Sequence, residues 1–310
     1  MHPILFSIPT PWGAVPIYSY GVMLGLSLLV AWYFIMYMGS KVERMDKDLM
    51  ANCFVVTALT AILFARLFYV FTNLDEFPTI LSWFNFRSGG LVAYGGFLGG
   101  FFGAWGYLKW RKVPLLPWAD LVAPTLGSGL ALTRIGCYLY GCDYGKPLSA
   151  SAPAWLAKLG TFPHWNEAAF PHFAFDQQLY GSPAYVHHVN EGLIAASAAT
   201  SLPVHPTELY SSLAGVVIFA SALWVFKHRR FRGEVFFYVA AAYSVWRFFL
   251  EFWRDDPERG AALGFSESQW IAIIILPIVA FAWLHFRRRA KARGDITVPP
   301  HAQQPIEASA

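Results

Sequence analysis

Long apolar stretches alternate with short polar segments along this chain of 310 residues. No charged residue precedes Lys41, none lies between Arg87 and Lys109, and none lies between Glu267 and Arg287. Because about 20 apolar residues are needed to cross roughly 30 Å of hydrocarbon, such stretches are typical of membrane spans. The pattern predicts seven spans, at 17–39, 49–72, 89–110, 118–140, 206–226, 234–253 and 268–286.

We expect these spans to be helices. A spanning segment must satisfy its own backbone hydrogen bonds, and the alternation of apolar and polar residues that marks a barrel strand is absent. The composition agrees, because 56% of the residues are hydrophobic and 14% are charged, against about 25% charged residues in an average soluble domain. The expected fold class is an all-α integral membrane protein with seven transmembrane helices.

Basic residues indicate the orientation of these helices. They are concentrated after spans one, three, five and seven, and lysine and arginine favour the cytoplasmic side of a membrane. The N-terminus is therefore expected outside and the C-terminus in the cytoplasm. The net charge of +4 is spread over four segments, so no binding to nucleic acid is expected. The residues concerned are Lys41, Arg44, Lys47, Lys109, Arg111, Lys112, Lys227, Arg229, Arg230, Arg232, Arg287, Arg288, Arg289, Lys291 and Arg293.

The spans divide the chain into four regions. Residues 1–140 hold helices one to four, 141–205 form an extracytoplasmic head or lid, 206–286 hold helices five to seven, and 287–310 form a basic, disordered cytoplasmic tail. Connections as long as 141–205 are usually functional or contain their own structure, although a decorative insertion is the alternative. Its aromatic residues suggest a lid on the membrane interface: Trp155, Phe162, Trp165, Phe170, Phe173 and Phe175.

We single out six charged residues of the predicted spans as candidates for intramembrane positions. A charge at mid-bilayer costs from about 3 to above 10 kcal/mol, so such residues are functional candidates. Asp120 and Glu208 lie near span ends, where a structural role with the side chain extended to the interface is an equal alternative. The six residues are Arg66, Asp120, Arg134, Glu208, Arg247 and Glu251.

Arg247 and Glu251 are spaced to meet on one helical face, with Tyr243 one turn before them. An ion pair would lower the cost of burying them, which is the structural interpretation. However, one glutamate neutralises only one of three intramembrane arginines, and the surplus charge indicates an anionic ligand. Arginine suits phosphate because its planar group donates two hydrogen bonds at once, and the abundant anions of a membrane are phospholipid head groups.

A glycine-rich run over 88–100 begins the third span. Its glycines either let two helices approach closely or expose backbone N–H groups that hold a phosphate. Tyr94 lies between two glycine pairs, and a hydroxyl there is a costly way to pack a helix in lipid. We therefore expect Tyr94, Gly95 and Gly96 to belong to a binding site.

Metal and cofactor chemistry are not expected. His205 and the other histidines lack the spacing of zinc ligands. The sequence also has no phosphate-binding loop with Lys and Ser or Thr, and no nucleophile elbow.

Several segments together resemble the prolipoprotein diacylglyceryl transferase family of the bacterial inner membrane. They occur in family order over roughly residues 15–260, and the family's seven-span topology with the N-terminus outside agrees with the topology predicted above. The matching pieces are Tyr20 with Gly21, Ala65 to Tyr69, Tyr94 to Gly96, Asp120 with Pro124, Arg134 to Gly136, Gly145, His205 to Tyr210, Tyr243 with Arg247 and Glu251, and Glu258 to Gly260.

The resemblance implies an activity. It is the transfer of the sn-1,2-diacylglyceryl group from phosphatidylglycerol to the lipobox cysteine thiol of prolipoproteins, which forms a thioether and releases glycerol phosphate. The implied partners are phosphatidylglycerol, prolipoprotein signal peptides with a lipobox cysteine, and membrane lipid. The implied location is the bacterial inner membrane, as a multi-pass protein.

The resemblance also implies roles for individual residues. Arg134 and Arg247 would hold the head-group phosphate and stabilise developing charge, Glu251 would orient Arg247, and Tyr20 or Tyr94 would take or relay the thiol proton. The implied contacts to phosphatidylglycerol are made by Arg66, Gly95, Gly96, Arg134, Gly145, Tyr243 and Arg247.

Two departures from the family pattern alter these expectations. Tyr94 stands where family members have a histidine, and Cys137 and Cys142 stand where they have Asn and Glu. The two cysteines either form a disulfide, pack as free thiols or are reactive. The alternative function is accordingly a non-catalytic or repurposed phospholipid-binding membrane paralogue.

Overall fold

The computed structural model describes residues 2–11, 13–77, 79–84, 90–165, 174–176, 179–255, 261–262 and 264–294. Within them the chain is mostly helical. The helices are α1 (Ser19–Lys41), α2 (Lys47–Thr72), α3 (Ile80–Trp83), α4 (Ala93–Trp110), α5 (Leu115–Tyr140), α6 (Ala154–Leu159), α7 (Pro183–Asn190), α8 (Thr207–His228), α9 (Glu234–Leu250) and α10 (Glu267–Ala292). Short 3₁₀ turns cover Leu74–Glu76 and Glu251–Trp253.

Six short strands accompany these helices in the described residues. They pair as antiparallel hairpins, β1 with β2, β3 with β4 and β5 with β6. Their bounds are β1 (Ile4–Thr10), β2 (Gly13–Tyr18), β3 (Ala174–Asp176), β4 (Leu179–Tyr180), β5 (Ala261–Ala262) and β6 (Phe265–Ser266).

Each of the seven predicted spans folds as a helix. Six helical segments in the described part of the chain are long and apolar enough to cross a membrane: Ser19–Lys41, Lys47–Thr72, Leu115–Tyr140, Thr207–His228, Glu234–Trp253 and Glu267–Ala292. The remaining predicted span forms α4, a helix of 18 residues. The prediction of a helical, multi-pass membrane protein is confirmed, whereas the count of seven spans and the orientation stay predictions.

The chain forms two compact units. The first comprises Met1–Ala31, Ala123–His228 and Glu234–Arg288, and the second comprises Trp32–Val122, Arg229–Gly233 and Arg289–Ala310.

In the first unit, α5 and α8 cross at glycines. A Cβ added to Gly215 would lie 2.6 Å from the backbone N of Ala131 and 2.7 Å from the carbonyl oxygen of Gly127. The hydroxyl of Ser212 donates to the carbonyl of Ala131 at 2.8 Å. The small residues therefore allow the two backbones to meet, which is the packing that membrane helices favour.

The segment 141–205 of the first unit has a core of its own. Phe162 is fully buried and packs with Tyr144, Ala184 and Val204, and Trp165 is also buried. The inference that the aromatic residues of this segment face the membrane interface is therefore wrong for Phe162 and Trp165, because they fill a protein core. Phe170 and Phe173 lie outside the described residues, and the lid stays a prediction.

In the second unit, α2 packs against α4 through the glycines of the predicted binding run. A Cβ on Gly95 would lie 2.5 Å from the carbonyl oxygen of Phe64, and one on Gly99 would lie 2.4 Å from that of Thr60. A Cβ on Gly96 would meet only ordinary contacts, at 3.7 Å. Of the two roles left open for this run, close helix packing accounts for Gly95 and Gly99. Gly89 lies outside the described residues.

A buried ion cluster also stabilises the second unit. Arg229 pairs with Glu43 and with Asp120, whose Oδ2 is 3.2 Å from the arginine Nη1. The same Oδ2 accepts the backbone N–H of Gly233 at 2.7 Å. Asp120 is fully buried, so the alternative in which its side chain extends to the interface is wrong, because a cation within the protein binds it.

The C-terminal boundary also differs from the sequence prediction. Helix α10 continues to Ala292, whereas the tail was expected to begin at residue 287. Arg289 and Lys291 lie in the last turn, where positive charge stabilises the carbonyl end of a helix. Residues 295–310 lie outside the described residues.

Candidate active site

Arg134 lies in the penultimate turn of α5, near the point where this helix ends. Gly141 follows with a φ of +85°, a conformation that suits glycine at a helix C-terminus, and its N–H donates to the carbonyl of Cys137 at 2.7 Å. Nη1 of Arg134 donates to Asp143 and lies 3.9 Å from the sulfur of Cys137. The turn after α5 thus returns an acidic side chain to Arg134.

Asp143 binds two arginines at once. One carboxylate oxygen pairs with Arg134 and the other with Arg254. Burial disfavours the charged form of this carboxyl, but the two guanidinium groups outweigh burial and hold the pKa of Asp143 well below its usual range. Asp143 gives Arg134 a counter-ion that the sequence does not predict, but its single negative charge is shared between two guanidinium groups, so these three side chains keep one net positive charge.

Gly145 lies where three segments of the first unit converge. Its N–H donates to the carbonyl of His205 at 2.9 Å, and the next N–H, of Lys146, donates to the carbonyl of Trp253 at 2.8 Å. A Cβ on Gly145 would lie 2.4 Å from that Trp253 oxygen. Only glycine fits without displacement of backbone, so Gly145 has a structural role whether or not it also contacts lipid.

Glu208, in the first turn of α8, is buried beside this cluster. The neighbouring Thr207 donates its hydroxyl to the backbone carbonyl of Asp143 at 2.5 Å. The side chain of Glu208 is 1% exposed, and its two carboxylate oxygens accept no hydrogen bond from the described residues. The alternative in which Glu208 extends to the interface is therefore wrong.

Cys137 and Cys142 are separate thiols. Hydrogen bonding with Cys137 and burial raise the pKa of Cys142 well above its usual value, and the charges of Asp143 and Glu208 raise it further. A thiol with a raised pKa is a poor nucleophile at neutral pH, so of the three states left open the free packed thiol describes Cys142.

The two sulfurs and an oxygen of Asp143 lie within 4.8 Å of one another, close enough to share a metal ion. Both oxygens of Asp143 accept hydrogen bonds from arginines, however. Two guanidinium cations at the same carboxylate disfavour a metal cation there.

Two tyrosines predicted for the site lie beside Arg134. Tyr20, at the start of α1, contacts α5, since a Cβ on Gly136 would lie 3.1 Å from its Cα. Tyr20 is 45% exposed and lies within electrostatic range of Arg134 and Asp143. Tyr243 of α9 is likewise within range of Arg134. Tyr20 and Tyr243 thus lie within electrostatic range of Arg134, and their roles in a binding site stay predictions.

Arg247 and Glu251 form the predicted pair. Nη2 of Arg247 lies 3.0 Å from Oε2 of Glu251, and the same nitrogen donates to the hydroxyl of Ser268 in α10 at 2.9 Å. Both side chains are largely buried, at 13% and 7% exposure. Glu251 and Ser268 thus contact the same nitrogen of Arg247, and the sequence does not predict the contact with Ser268.

Comparisons with known proteins bear on this arrangement. A family model described as prolipoprotein diacylglyceryl transferase matches residues 3–285. The chain belongs to the prolipoprotein diacylglyceryl transferase family. Its relatives include the phosphatidylglycerol–prolipoprotein diacylglyceryl transferase of Oceanobacillus iheyensis, which is 29% identical over 93% of this chain and 90% of its own. Another, phosphatidylglycerol–prolipoprotein diacylglyceryl transferase 2 of Clostridium perfringens, is 30% identical over 84% of this chain and 87% of its own.

Membership of the prolipoprotein diacylglyceryl transferase family confirms the resemblance that the motifs indicate, and it makes the chain a member of a family of transferases. The matched range contains every residue of the candidate active site described above.

The remaining predicted site residues lie in the second unit. Nε, Nη1 and Nη2 of Arg66 donate to the carbonyls of Trp83, Gly90 and Ser82, at 2.9, 3.1 and 3.5 Å respectively. This fully buried guanidinium therefore holds the backbone that precedes α4. Tyr94, in the first turn of α4, is 45% exposed. Contacts of Arg66, Gly95 and Gly96 with lipid stay predictions for this family member.

Sequence reasoning missed the roles of Asp143 and Arg254. The position of Asp143 in the turn directly after α5, nine residues beyond Arg134, is a local signal for this pair. Arg254 carries no comparable local signal, since 111 residues separate it from Asp143. The predicted motif residues Glu258, Arg259 and Gly260 lie outside the described residues.

Proposed function

We propose that this protein transfers the sn-1,2-diacylglyceryl group of phosphatidylglycerol to the lipobox cysteine thiol of prolipoproteins. The products are a thioether on the cysteine and free glycerol phosphate. Family membership supports the class of reaction, and the names of the relatives support both substrates.

The observation that carries the proposal is the state of Arg134. Its side chain is 21% exposed, and its described hydrogen bonds use Nη1 alone. Nε and Nη2, which have no partner among the described residues, are available to an anion. A guanidinium that is fixed on one edge and open on the other suits a phosphate oxygen.

The bond that breaks joins the diacylglyceryl carbon to a phosphate oxygen, so negative charge grows on the departing glycerol phosphate. Arg134 is placed to stabilise that charge, and Arg247, oriented by Glu251, supplies a second guanidinium. Tyr20 lies beside Arg134 and assists in the movement of the thiol proton, with Tyr94 as a second candidate. Tyr243 and Gly145 border the phosphatidylglycerol site.

The proposed setting is the bacterial inner membrane. Seven helices cross it with the N-terminus outside and the C-terminus in the cytoplasm, and residues 141–205 form a head region on the outer face. The distribution of basic residues supports this orientation. In this arrangement the end of α5 lies at the outer face, where a secreted prolipoprotein presents its cysteine.

The test is a reconstituted transfer reaction. Purified protein in phosphatidylglycerol vesicles receives a peptide with a lipobox cysteine, or with serine in its place, and mass spectrometry follows the peptide while an enzymatic assay follows glycerol phosphate. We expect a diacylglyceryl adduct on the cysteine peptide alone, with one glycerol phosphate released per adduct.

Arg134→Ala should abolish the reaction, whereas Arg293→Ala, which removes an exposed arginine near the C-terminus of α10, should not change it. If the wild-type protein binds phosphatidylglycerol and forms no adduct, while a relative is active in the same vesicles, the chain is a phospholipid-binding paralogue and the proposal is wrong.

A further inference from the structure

Glu208 differs from the other acidic groups of the site because no described residue binds its side chain. Asp143 and Glu251 are ion-paired, whereas both oxygens of Glu208 are buried and accept no hydrogen bond. The carboxyl interacts with the N–H of its own backbone, but the two do not meet in hydrogen-bond geometry. Buried polar atoms without a partner are rare in native proteins and call for an explanation.

The position of Glu208 suggests that explanation. It lies on the first turn of α8, next to the Thr207 hydroxyl that binds the backbone of Asp143. Titratable and charged groups within its electrostatic range come from α5, the following turn, α8 and the end of the 3₁₀ turn after α9. They are Arg134, Tyr138, Cys142, Asp143, Tyr210 and Arg254.

The proposed transfer needs a group that accepts the thiol proton, because the thiolate is the nucleophile and an ordinary cysteine pKa is about 8.5. Asp143 is a weak base, since two arginines hold its pKa well below the usual range. His205 contacts the hydroxyl of Tyr210 at 3.3 Å, and burial lowers its pKa. Glu208 alone among these three has no partner to give up before it receives a proton.

We propose, on the basis of the proposed transferase function, that the carboxylate of Glu208 accepts the proton of the lipobox cysteine as its sulfur attacks the diacylglyceryl carbon. The sulfur electron pair forms the new C–S bond. The C–O bond to phosphate breaks, and its electron pair leaves with glycerol phosphate beside Arg134. The proton then passes from Glu208 to the departing phosphate, which restores the carboxylate.

The test compares Glu208→Gln with the wild-type protein on two peptides, one with the lipobox cysteine and one with selenocysteine in its place. A selenol is largely ionised at neutral pH and does not need a base. We expect Glu208→Gln to lose about 10²- to 10⁴-fold in transfer rate with the cysteine peptide, the usual contribution of a positioned base, and less than about tenfold with selenocysteine. Glu191→Gln, at the exposed end of α7, is the matched control and should not change either rate.

The outcomes separate this assignment from the proposed function. A wild-type protein that forms no adduct overturns the function, and the assignment with it. If the wild type is active and Glu208→Gln loses the same fraction of its rate with both peptides, Glu208 has a structural role. If Glu208→Gln keeps the wild-type rate with the cysteine peptide, another group accepts the proton. Either result overturns the assignment. If Glu208→Gln no longer binds phosphatidylglycerol, the same two peptides are tested with Glu208→Asp, which keeps a carboxylate. We expect this variant to retain a reduced rate with the cysteine peptide and a nearly full rate with the selenocysteine peptide.

Discussion

Replacing Asp143 with asparagine tests the ion-pair arrangement that holds Arg134. Asp143 has a φ of +64°, a left-handed conformation that asparagine adopts more readily than most residues. Asp143→Asn therefore preserves the turn and changes only the charge and one of the two acceptor oxygens.

The structure sets the size of the effect. Each hydrogen bond from a guanidinium to the carboxylate contributes about 1.5–3 kcal/mol, and the variant keeps one acceptor. The side chain of Arg254 is 2% exposed and that of Arg134 is 21% exposed, so we expect the amide oxygen to stay with Arg254. Arg134 then loses its partner but recovers some hydration, and the free energy of unfolding falls by about 2 kcal/mol.

The assay is unfolding in mixed micelles, with increasing denaturing detergent and tryptophan fluorescence as the signal, at several pH values. Because the folded pKa of Asp143 is lowered, its contribution is fully present above the unfolded pKa of about 3.9 and is lost as the pH falls towards the folded value. The difference between the wild type and the variant should stay near 2 kcal/mol from pH 7 to about pH 5 and shrink below about pH 4.

Asp75→Asn, which changes an exposed residue in the 3₁₀ turn Leu74–Glu76, is the control and should unfold like the wild type at each pH. Equal stability of Asp143→Asn and the wild type at pH 7, or a difference that persists unchanged in acid, would refute the ion-pair reasoning.

Three further substitutions test other parts of the account. Gly145→Ala places a Cβ 2.4 Å from the carbonyl oxygen of Trp253 and should lower the free energy of unfolding by about 1–3 kcal/mol. The control Gly129→Ala adds a Cβ with nothing within 4 Å and should not lower this free energy. Equal effects of the two substitutions would contradict the steric crowding at Gly145. Arg247→Lys keeps the positive charge but removes the planar guanidinium group that donates two hydrogen bonds at once. The transfer rate should fall about 10- to 100-fold, which corresponds to the loss of one charge-assisted hydrogen bond. A wild-type rate in this variant would exclude the phosphate-binding role of Arg247. Asp120→Asn breaks a buried pair and should destabilise the protein by up to about 3–5 kcal/mol in the same unfolding assay, whereas a loss below about 1 kcal/mol would mean that the pair does not stabilise the unit.

Features that depend on local spacing were predictable from the sequence. The Arg247–Glu251 pair follows from a separation of four residues on one helix, and the long helices follow from apolar runs between charged connections. The order of the motifs was also enough to identify the family, because each motif consists of residues that are close together in the sequence.

Features that depend on tertiary contacts were not predictable in this way. Asp143 and Arg254 are 111 residues apart, and Asp120 and Arg229 are 109 apart; such pairs form only when the helices pack. The sequence around Glu208 predicts the start of a helix, but it does not show whether the side chain faces lipid head groups or the protein interior.

The glycine run shows a different limit. Close packing and phosphate binding require the same absence of a side chain, so the composition of the run cannot choose between them. The contact of Gly95 with the carbonyl of Phe64 identifies packing at that position. Phe162 is a similar case, because an aromatic residue in a long connection suits both an interface and a small core.

The most direct test of the central claim, that Arg134 and Arg247 hold the phosphate of the lipid donor, is an experimental structure of the protein in phosphatidylglycerol nanodiscs. The account predicts head-group density with phosphate oxygens within hydrogen-bonding distance of both guanidinium groups, reached through Nε or Nη2 of Arg134 while Nη1 stays on Asp143. Density for the phosphate at another place in the protein, with neither arginine in contact with it, would contradict the account.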